Sequence, residues 1–150
     1  MPRRTRNKIL IAIIGAGLLN FLAYTIIYAM IGGDAKNGGI DEGQCFLRGH
    51  FLRLGIEGHA TQVSRPMWIY SYVHSISIWP TIGAVLCCML LLARPHIIAT
   101  MQEDSLIRGQ SFVTAAMTII IIITGVSMIY FVTGFVQALS ILQNDGSYGL

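Results

Sequence analysis

The sequence predicts an all-α membrane protein with three transmembrane helices and an outer loop of about 40 residues (32–70), in which a short β-hairpin is expected. Of its 150 residues, 54% are hydrophobic and only 11% are charged, whereas soluble domains carry about 25% charged residues. The mean hydropathy is +0.65. Three apolar runs also each exceed the ~20 residues that a helix needs to cross a bilayer.

The first span is predicted over 9–31, 23 residues without a charged side chain. It contains Gly15-Ala16-Gly17, a pattern that also begins dinucleotide-binding turns. That alternative fails because Asn20 replaces the third small residue, and too few residues follow for a crossover helix. The run also exceeds the ~7–15 apolar residues of a signal peptide. We therefore predict an uncleaved transmembrane helix.

The second span is predicted over 71–93. Arg94 and Pro95 are expected to end it, and the inner loop 94–111 is expected to hold a short helix that begins at the proline. Pro80 lies inside the span and predicts a kink, because proline removes a helix hydrogen bond.

The third span is predicted over 112–142, followed by an outer tail, 143–150. Its 31 residues are more than a bilayer requires. Either the helix tilts, or its last two turns, FVQALSIL, lie beyond the hydrocarbon core. The isoleucine run 119–123 is apolar on every face, which favours contact with lipid.

Basic residues predict the orientation of the chain, because Lys and Arg are enriched in cytoplasmic loops. Those on the side of the N-terminus are Arg3, Arg4, Arg6, Lys8, Arg94 and Arg108. Those spread over the outer loop are Lys36, Arg48, Arg53 and Arg65. The sequence thus predicts an integral protein of a bacterial cytoplasmic (inner) membrane, with a cytoplasmic N-terminus and the C-terminus outside. A net charge of +3 with this distribution indicates topology and no nucleic-acid partner.

The outer loop begins with GGDAKNGGIDEGQ, which predicts turns because Gly, Asn and Asp tolerate positive φ. Asp34 and Asn37 are assigned to these turns, since the acidic residues do not match the spacing of an EF-hand. The next two segments, QCFLRGHFLRLG and HATQVSRPMW, are expected to pair as the hairpin.

Two further features of the loop concern its outer surface. Cys45 is the only cysteine there, so we expect either a free thiol or a thiol paired between chains. An impermeant maleimide is expected to label it, provided that a partner does not cover it. Trp68, Tyr70 and Tyr72 are expected to form an interfacial aromatic belt.

The first span carries a polar and small-residue face. Ala16, Asn20, Tyr24 and Tyr28 recur every four residues and so share one side of the helix. Ala12 and Ala16 form a small-xxx-small pair, which permits close contact between helices. The favoured interpretation is a packing seam with an interhelical hydrogen bond, and the alternative is a ligand pocket.

His74 is the one histidine well within a predicted span. Tyr24, Tyr28 and Tyr130 are expected at a similar depth, a combination that suits a quinone headgroup, a pigment or a metal. The favoured alternative is a histidine satisfied by tyrosine or water, and contact with a partner subunit is a third. A bis-histidine haem would require a dimer, because His96 lies ~33 Å away along a helix.

Cys87 and Cys88 form a vicinal pair in the second span. Thiolates select soft metals, but adjacent helical residues diverge by ~100°, which favours two small hydrophobes. The predicted spans contain no Asp, Glu, Lys or Arg, which argues against a proton relay or an ion-coupled carrier.

Two functional hypotheses remain, with a homo-oligomeric channel or carrier as a third. The first is a non-catalytic accessory subunit of a larger membrane complex of respiratory or photosynthetic type, with the bilayer and either that complex or further copies of the chain as partners. The alternative is a small cofactor-, quinone- or metal-binding membrane protein that uses the His74 and tyrosine cluster or Cys87-Cys88. The sequence specifies no cofactor, and no enzyme motif appears in it.

Overall fold

The computed structural model describes residues 2–49, 60–101 and 108–145. It contains the helices α1 (Arg3–Ile31), α2 (Arg65–Thr100) and α3 (Gly109–Asp145). It also contains the strands β1 (Asp34–Asp41), β2 (Gln44–Arg48) and β3 (Thr61–Val63). The protein is therefore mostly helical, with three helices long and apolar enough to cross a membrane and one small antiparallel sheet. The helices include the predicted spans, whose place in a membrane stays a prediction.

The first helix ends at a glycine cap. The backbone N–H groups of Gly32 and Gly33 both donate to the carbonyl of Tyr28, at 3.1 and 3.0 Å. Gly32 has a φ of 82°, the left-handed conformation that satisfies the last carbonyls of a helix. The chain therefore leaves α1 and enters β1 within two residues.

The second helix does not end at Arg94-Pro95, so the prediction of a stop there, with a separate helix from Pro95, was wrong. Pro80 and Pro95 both lie inside α2. A proline removes one backbone hydrogen bond, but the next turn still closes, with Met101 N–H donating to the Ile97 carbonyl at 3.0 Å. The first residue of α3, Gly109, also lies against the backbone of Ile97 and Ile98.

The sheet has the order β1-β2-β3, and both pairs are antiparallel. The expected pairing of the two later segments is present, with Cys45 opposite Val63 and Leu47 opposite Thr61. Within the first of these segments, residues 50–55 lie outside the described residues, as does His59 in the second. The segment that was predicted to form turns also contains the strand β1. Its positive φ angles are confined to the segment's two ends, and the register shift between Asp34 and Gly39 includes Gly38.

The turn between β1 and β2 consists of Glu42 and Gly43, with φ angles of 47° and 73°. Two positive φ angles in a two-residue loop are typical of the type I′ turn, whose twist matches that of the flanking strands. Asp41 and Gln44 close the hairpin.

The chain divides into two compact units. Unit 1 comprises Met1–Phe21 and Trp79–Ser127, and unit 2 comprises Leu22–Ile78 and Met128–Leu150. The sheet belongs to unit 2. Its core joins the sheet to parts of α2 and α3, and it consists of Ala35, Cys45, Leu47, Trp68, Tyr72 and Leu142.

Two of the three aromatic residues that were predicted to lie at the membrane interface belong to the core of unit 2. Trp68 and Tyr72 are buried and pack with Phe135 of α3, at ring-centroid distances of 6.4 and 5.1 Å. They are one helical turn apart and share the side of α2 that meets the core, so the prediction that they form an interfacial belt was wrong. Tyr70 projects from another side and remains exposed.

The last turns of α3 also contribute to this core. Phe135, Ala138 and Leu139 pack against the buried cluster, and Leu142 belongs to it. The predicted excess length of FVQALSIL is thus used to pack against the sheet. Ile119, Ile121, Ile122 and Ile123 are exposed.

Cys45 lies inside the core of unit 2 with 3% of its surface exposed. The expectation of an outward thiol open to a maleimide was therefore wrong, because the pleat turns this side chain towards the core. Burial raises the pKa of the Cys45 thiol, and the nearby charge of Arg65 offsets part of that rise. Because the thiol is inaccessible and its pKa is raised, Cys45 should react slowly in the folded protein. Its reactivity is therefore a useful reporter of unfolding.

Candidate functional site

The polar side chains of unit 2 meet where α1 ends and β1 begins. We call this group the Tyr24 cluster, and it consists of Tyr24, Asp34, Asn37, Tyr70, Ser71, His74 and Ser75. The Tyr24 hydroxyl donates to Asp34 Oδ2 at 3.1 Å and lies 3.4 Å from Ser75 Oγ. Its hydroxyl therefore connects three elements, α1, β1 and α2.

Asp34 is the buried carboxyl group of the cluster. Besides the Tyr24 bond, it accepts the backbone N–H of Asn37 at 2.7 Å and the Asn37 side-chain amide at 3.1 Å. Three donors of this kind offset much of the free-energy cost of burying a charge. The sequence predicted the turn chemistry of Asp34 and Asn37, but not that the same carboxylate binds Tyr24.

Two serines of α2 hold the beginning of β1. Ser71 Oγ accepts the backbone N–H of Ala35 at 3.1 Å. Ser75 Oγ donates to the Ser71 carbonyl at 3.0 Å. Both serines are buried, so they satisfy polar groups that water does not reach.

His74 lies at the edge of this network. Its Nδ1 is 3.2 Å from the Tyr70 hydroxyl, and its ring meets the Tyr24 ring edge-on, with centroids 5.3 Å apart. The Tyr28 ring lies beside the Tyr24 ring, with centroids 6.0 Å apart and the planes tilted by 40°. The structure thus brings His74, Tyr24 and Tyr28 together, although the partner of the histidine nitrogen is Tyr70.

Tyr130 does not belong to the Tyr24 cluster. Its ring is 64% exposed and lies under Lys36 of β1, whose Nζ is 4.4 Å from the ring centroid. That Tyr130 lies at a similar depth to the other tyrosines stays a prediction. Depth alone, however, does not specify the side of the helix on which a residue lies.

A cavity of about 10 Å³ lies among these side chains. It is lined by Tyr24, Ile27, Tyr28, Ile31, Gly33, Tyr70, Ser71 and His74. This volume is about that of one water molecule. The arrangement therefore has room for a bridging water and not for a quinone headgroup or a pigment between these residues.

The predicted packing residues of α1 lie in unit 1 and fall on two sides of the helix. Asn20 Nδ2 donates to Thr81 Oγ1 of α2 at 3.0 Å, an interhelical hydrogen bond. Gly17 is the buried small residue at this contact, and Thr81 and Val85 lie directly over it. Ala12 and Ala16 are instead exposed, so their predicted contact with a partner remains a prediction.

The cysteine pair of α2 also divides between two environments. Cys88 is buried in unit 1, whereas Cys87 is half-buried. Within residues 2–49, 60–101 and 108–145, no group of three His, Cys, Asp or Glu side chains is arranged to hold a metal ion.

Comparisons of this chain with protein-family models, with curated proteins and with solved structures find no match. Arguments about its function therefore depend on its own residues and their geometry.

The Tyr24 cluster leads to a matched pair of predictions. Tyr24→Phe removes a hydroxyl that binds a buried carboxylate, so we expect the free energy of unfolding of unit 2 to fall by ~1–3 kcal/mol. Tyr70→Phe removes a hydroxyl at the exposed edge and should cost ~0.5 kcal/mol or less. The rate at which a maleimide labels Cys45, in a chain with Cys87→Ser and Cys88→Ser, measures both. Equal labelling of the two variants would contradict the central place of Tyr24.

Proposed function

We propose that this chain is an integral membrane protein that serves as a non-catalytic subunit of a larger membrane complex. In this proposal its N-terminus lies in the cytoplasm of a bacterial cell and its sheet lies on the outer side of the inner membrane. The observation that carries the proposal is a second small-residue face on α1, which is exposed in the part of the chain that the structure describes.

Apolar surface supports the membrane part of the proposal. In the most apolar 18-residue window of α3 no residue is buried, and in those of α1 and α2 only 11% are. Exposed side chains include Leu19, Met30 and Ile129. Contiguous apolar surface on this scale is typical of contact with lipid or with other membrane helices.

The hydroxyl groups of α3 agree with such surroundings. Thr114, Thr118 and Thr133 each donate to the carbonyl four residues earlier, at 2.8–3.0 Å. Ser140 donates to the carbonyl of Gln137 at 2.7 Å. Because each hydroxyl is satisfied within its own helix, exposed polar side chains do not require water.

The open face of α1 supports the subunit part. Ala12, Gly15 and Ala16 are exposed, and no atom lies within 4 Å of the position that a Cβ of Gly15 would occupy. The contact with α2 uses Gly17, and within residues 2–49, 60–101 and 108–145 nothing covers this second face. Small residues on a membrane helix allow the backbone of another helix to approach closely, which favours a helical partner here.

The double variant Ala12→Leu, Ala16→Leu tests this proposal. Native-gel electrophoresis of membranes dissolved in mild detergent measures the particle size. We expect the wild-type chain, of 16.4 kDa, to migrate in a much larger complex, and the double variant to dissociate from it, because two isobutyl groups hold the partner's backbone away. Ala84→Leu, at an exposed alanine of α2, is the control and should remain in the complex.

Two results would contradict the proposal. A wild-type chain that migrates alone removes the partner. A double variant that remains in the complex as firmly as Ala84→Leu removes the open face of α1 as the contact.

A further inference from the structure

Six basic side chains of unit 1 are exposed and belong to the ends of its three helical segments. They are Arg3, Arg4, Arg6, Lys8, Arg94 and Arg108. The acids of this region in the sequence are Glu103 and Asp104, in a segment that lies outside the described residues. The basic group therefore outnumbers the nearby acids by six to two. We call it the basic end of unit 1.

Helix contacts within unit 1 put these residues at one level. Gly17 lies against Val85, and Asn20 bonds to Thr81, so α1 and α2 are antiparallel. Lys8 lies nine residues before Gly17, and Arg94 lies nine residues after Val85. Lys8 and Arg94 are therefore level with each other.

The contacts between α2 and α3 give the level of Arg108. Gly83 lies against Thr124, and Gly109 lies against Ile98. Arg108 is therefore level with residue 99 of α2, the same level as Arg3. All six side chains begin within about 7.5 Å along the helix axes.

A groove of about 530 Å³ opens beside this level, lined by Arg108, Gln110, Ser111, Thr114 and Ala115. The Thr114 hydroxyl already donates to the Gln110 carbonyl, so the donors that the groove offers are the Arg108 guanidinium, the Gln110 amide and the Ser111 hydroxyl. This level is also where α3 begins, and the first N–H groups of a helix favour an anion. The lining changes from a cation to an apolar methyl group within two helical turns.

We propose that the basic end of unit 1 binds the headgroups of anionic phospholipids, with Arg108 as the principal contact to a lipid phosphate in the groove. Arginine matches phosphate through two parallel hydrogen bonds. A lipid fits better than a soluble anion because the apolar surface begins at once, with Ile9 after Lys8 and Phe112 one turn after Arg108, both exposed. One ligand can thus make both contacts, its phosphate with the cations and its acyl chains with the helices.

Native mass spectrometry of the detergent-purified protein tests this inference. The protein is supplied with dioleoyl phosphatidylglycerol or with dioleoyl phosphatidylcholine, which differ in headgroup charge. We expect the anionic lipid to be retained at least fivefold more. Removal of one cation near the headgroups should weaken its binding about fivefold, so Arg108→Gln should lose this factor. Arg48→Gln, at an exposed arginine of the sheet in unit 2, should lose none.

Three outcomes would overturn the inference. They are equal retention of the two lipids, equal losses in the two variants, and displacement of phosphatidylglycerol by an equal concentration of inorganic phosphate, which would indicate a site for a free anion. Labelling of Cys88 checks that Arg108→Gln remains folded. The inference depends on the membrane insertion of the proposed function and not on the partner complex. A chain that migrates alone and still prefers phosphatidylglycerol would contradict the partner complex and leave the lipid site standing.

Discussion

Gly83→Ala is expected to break the packing of α2 against α3 in unit 1. A Cβ at this position would lie 2.6 Å from Thr124 Oγ1, 2.9 Å from its Cγ2 and 3.2 Å from its Cβ. Rotation of the threonine cannot relieve the contact with its Cβ, and a β-branched side chain has few rotamers in a helix. The helices must therefore separate. Overpacking of this kind costs about 1–3 kcal/mol, against which the higher helix propensity of alanine returns at most ~1 kcal/mol.

The native cysteine of unit 1 reports this effect. In a chain with Cys45→Ser and Cys87→Ser, the buried Cys88 is the only thiol, and we expect a membrane-permeant maleimide to label it severalfold faster in Gly83→Ala. Gly125→Ala is the matched control, because no atom lies within 4 Å of its added Cβ. If the two variants were labelled at the same rate, the contact between Gly83 and Thr124 would not hold the helices together.

Gly38→Ala should have a larger effect, on the sheet of unit 2. A Cβ there would meet the carbonyl of Phe46 and would lie 2.9 Å from Leu47 Cα. Both are backbone atoms of the central strand, so no rotamer change relieves the clash. β1 must move away from β2 at its register shift, and we expect the free energy of unfolding of unit 2 to fall by about 3 kcal/mol or more.

Cys45 measures this change, because it lies in the core on the strand that would be displaced. Gly38→Ala in the Cys87→Ser, Cys88→Ser background should make Cys45 reactive under conditions in which the parent is protected. Gly39→Ala is the neighbouring control, with open space at its Cβ. Protection of Cys45 in both variants would show that β1 tolerates the displacement and that the register shift is not tight.

The three long helices were predictable because an apolar run of more than 20 residues leaves little choice of backbone structure in a membrane. The residues at which the helices begin and end were less predictable. α1 begins at Arg3 and not at residue 9, since charges limit where the hydrocarbon begins and do not stop backbone hydrogen bonding. α2 passes Pro95, and Gly109 lies against the turn that follows it. That contact is tertiary, and no local pattern contains it.

In the candidate site, too, local geometry was predictable and tertiary packing was not. The helical period and the depth of residues put Tyr24 near Tyr28 and His74, because both follow from local geometry. Neither specifies how each helix is rotated, so Tyr130 was assigned to the wrong neighbours and Gly17 was overlooked beside Ala16. Asp34 was interpreted as a turn residue because its bond to Tyr24 forms only after the chain reverses at Gly32.

The proposed orientation of the chain in a membrane can be measured with one thiol at each end of the protein. In a chain without native cysteines, Gln62→Cys places one exposed thiol on β3, and Thr5→Cys places one at the exposed start of α1. Labelling by an impermeant maleimide is measured in intact cells and again after permeabilisation. The proposed orientation requires that the thiol at position 62 is labelled at once and that the thiol at position 5 is labelled only after permeabilisation. Labelling of both before permeabilisation, or of position 5 alone, would contradict it.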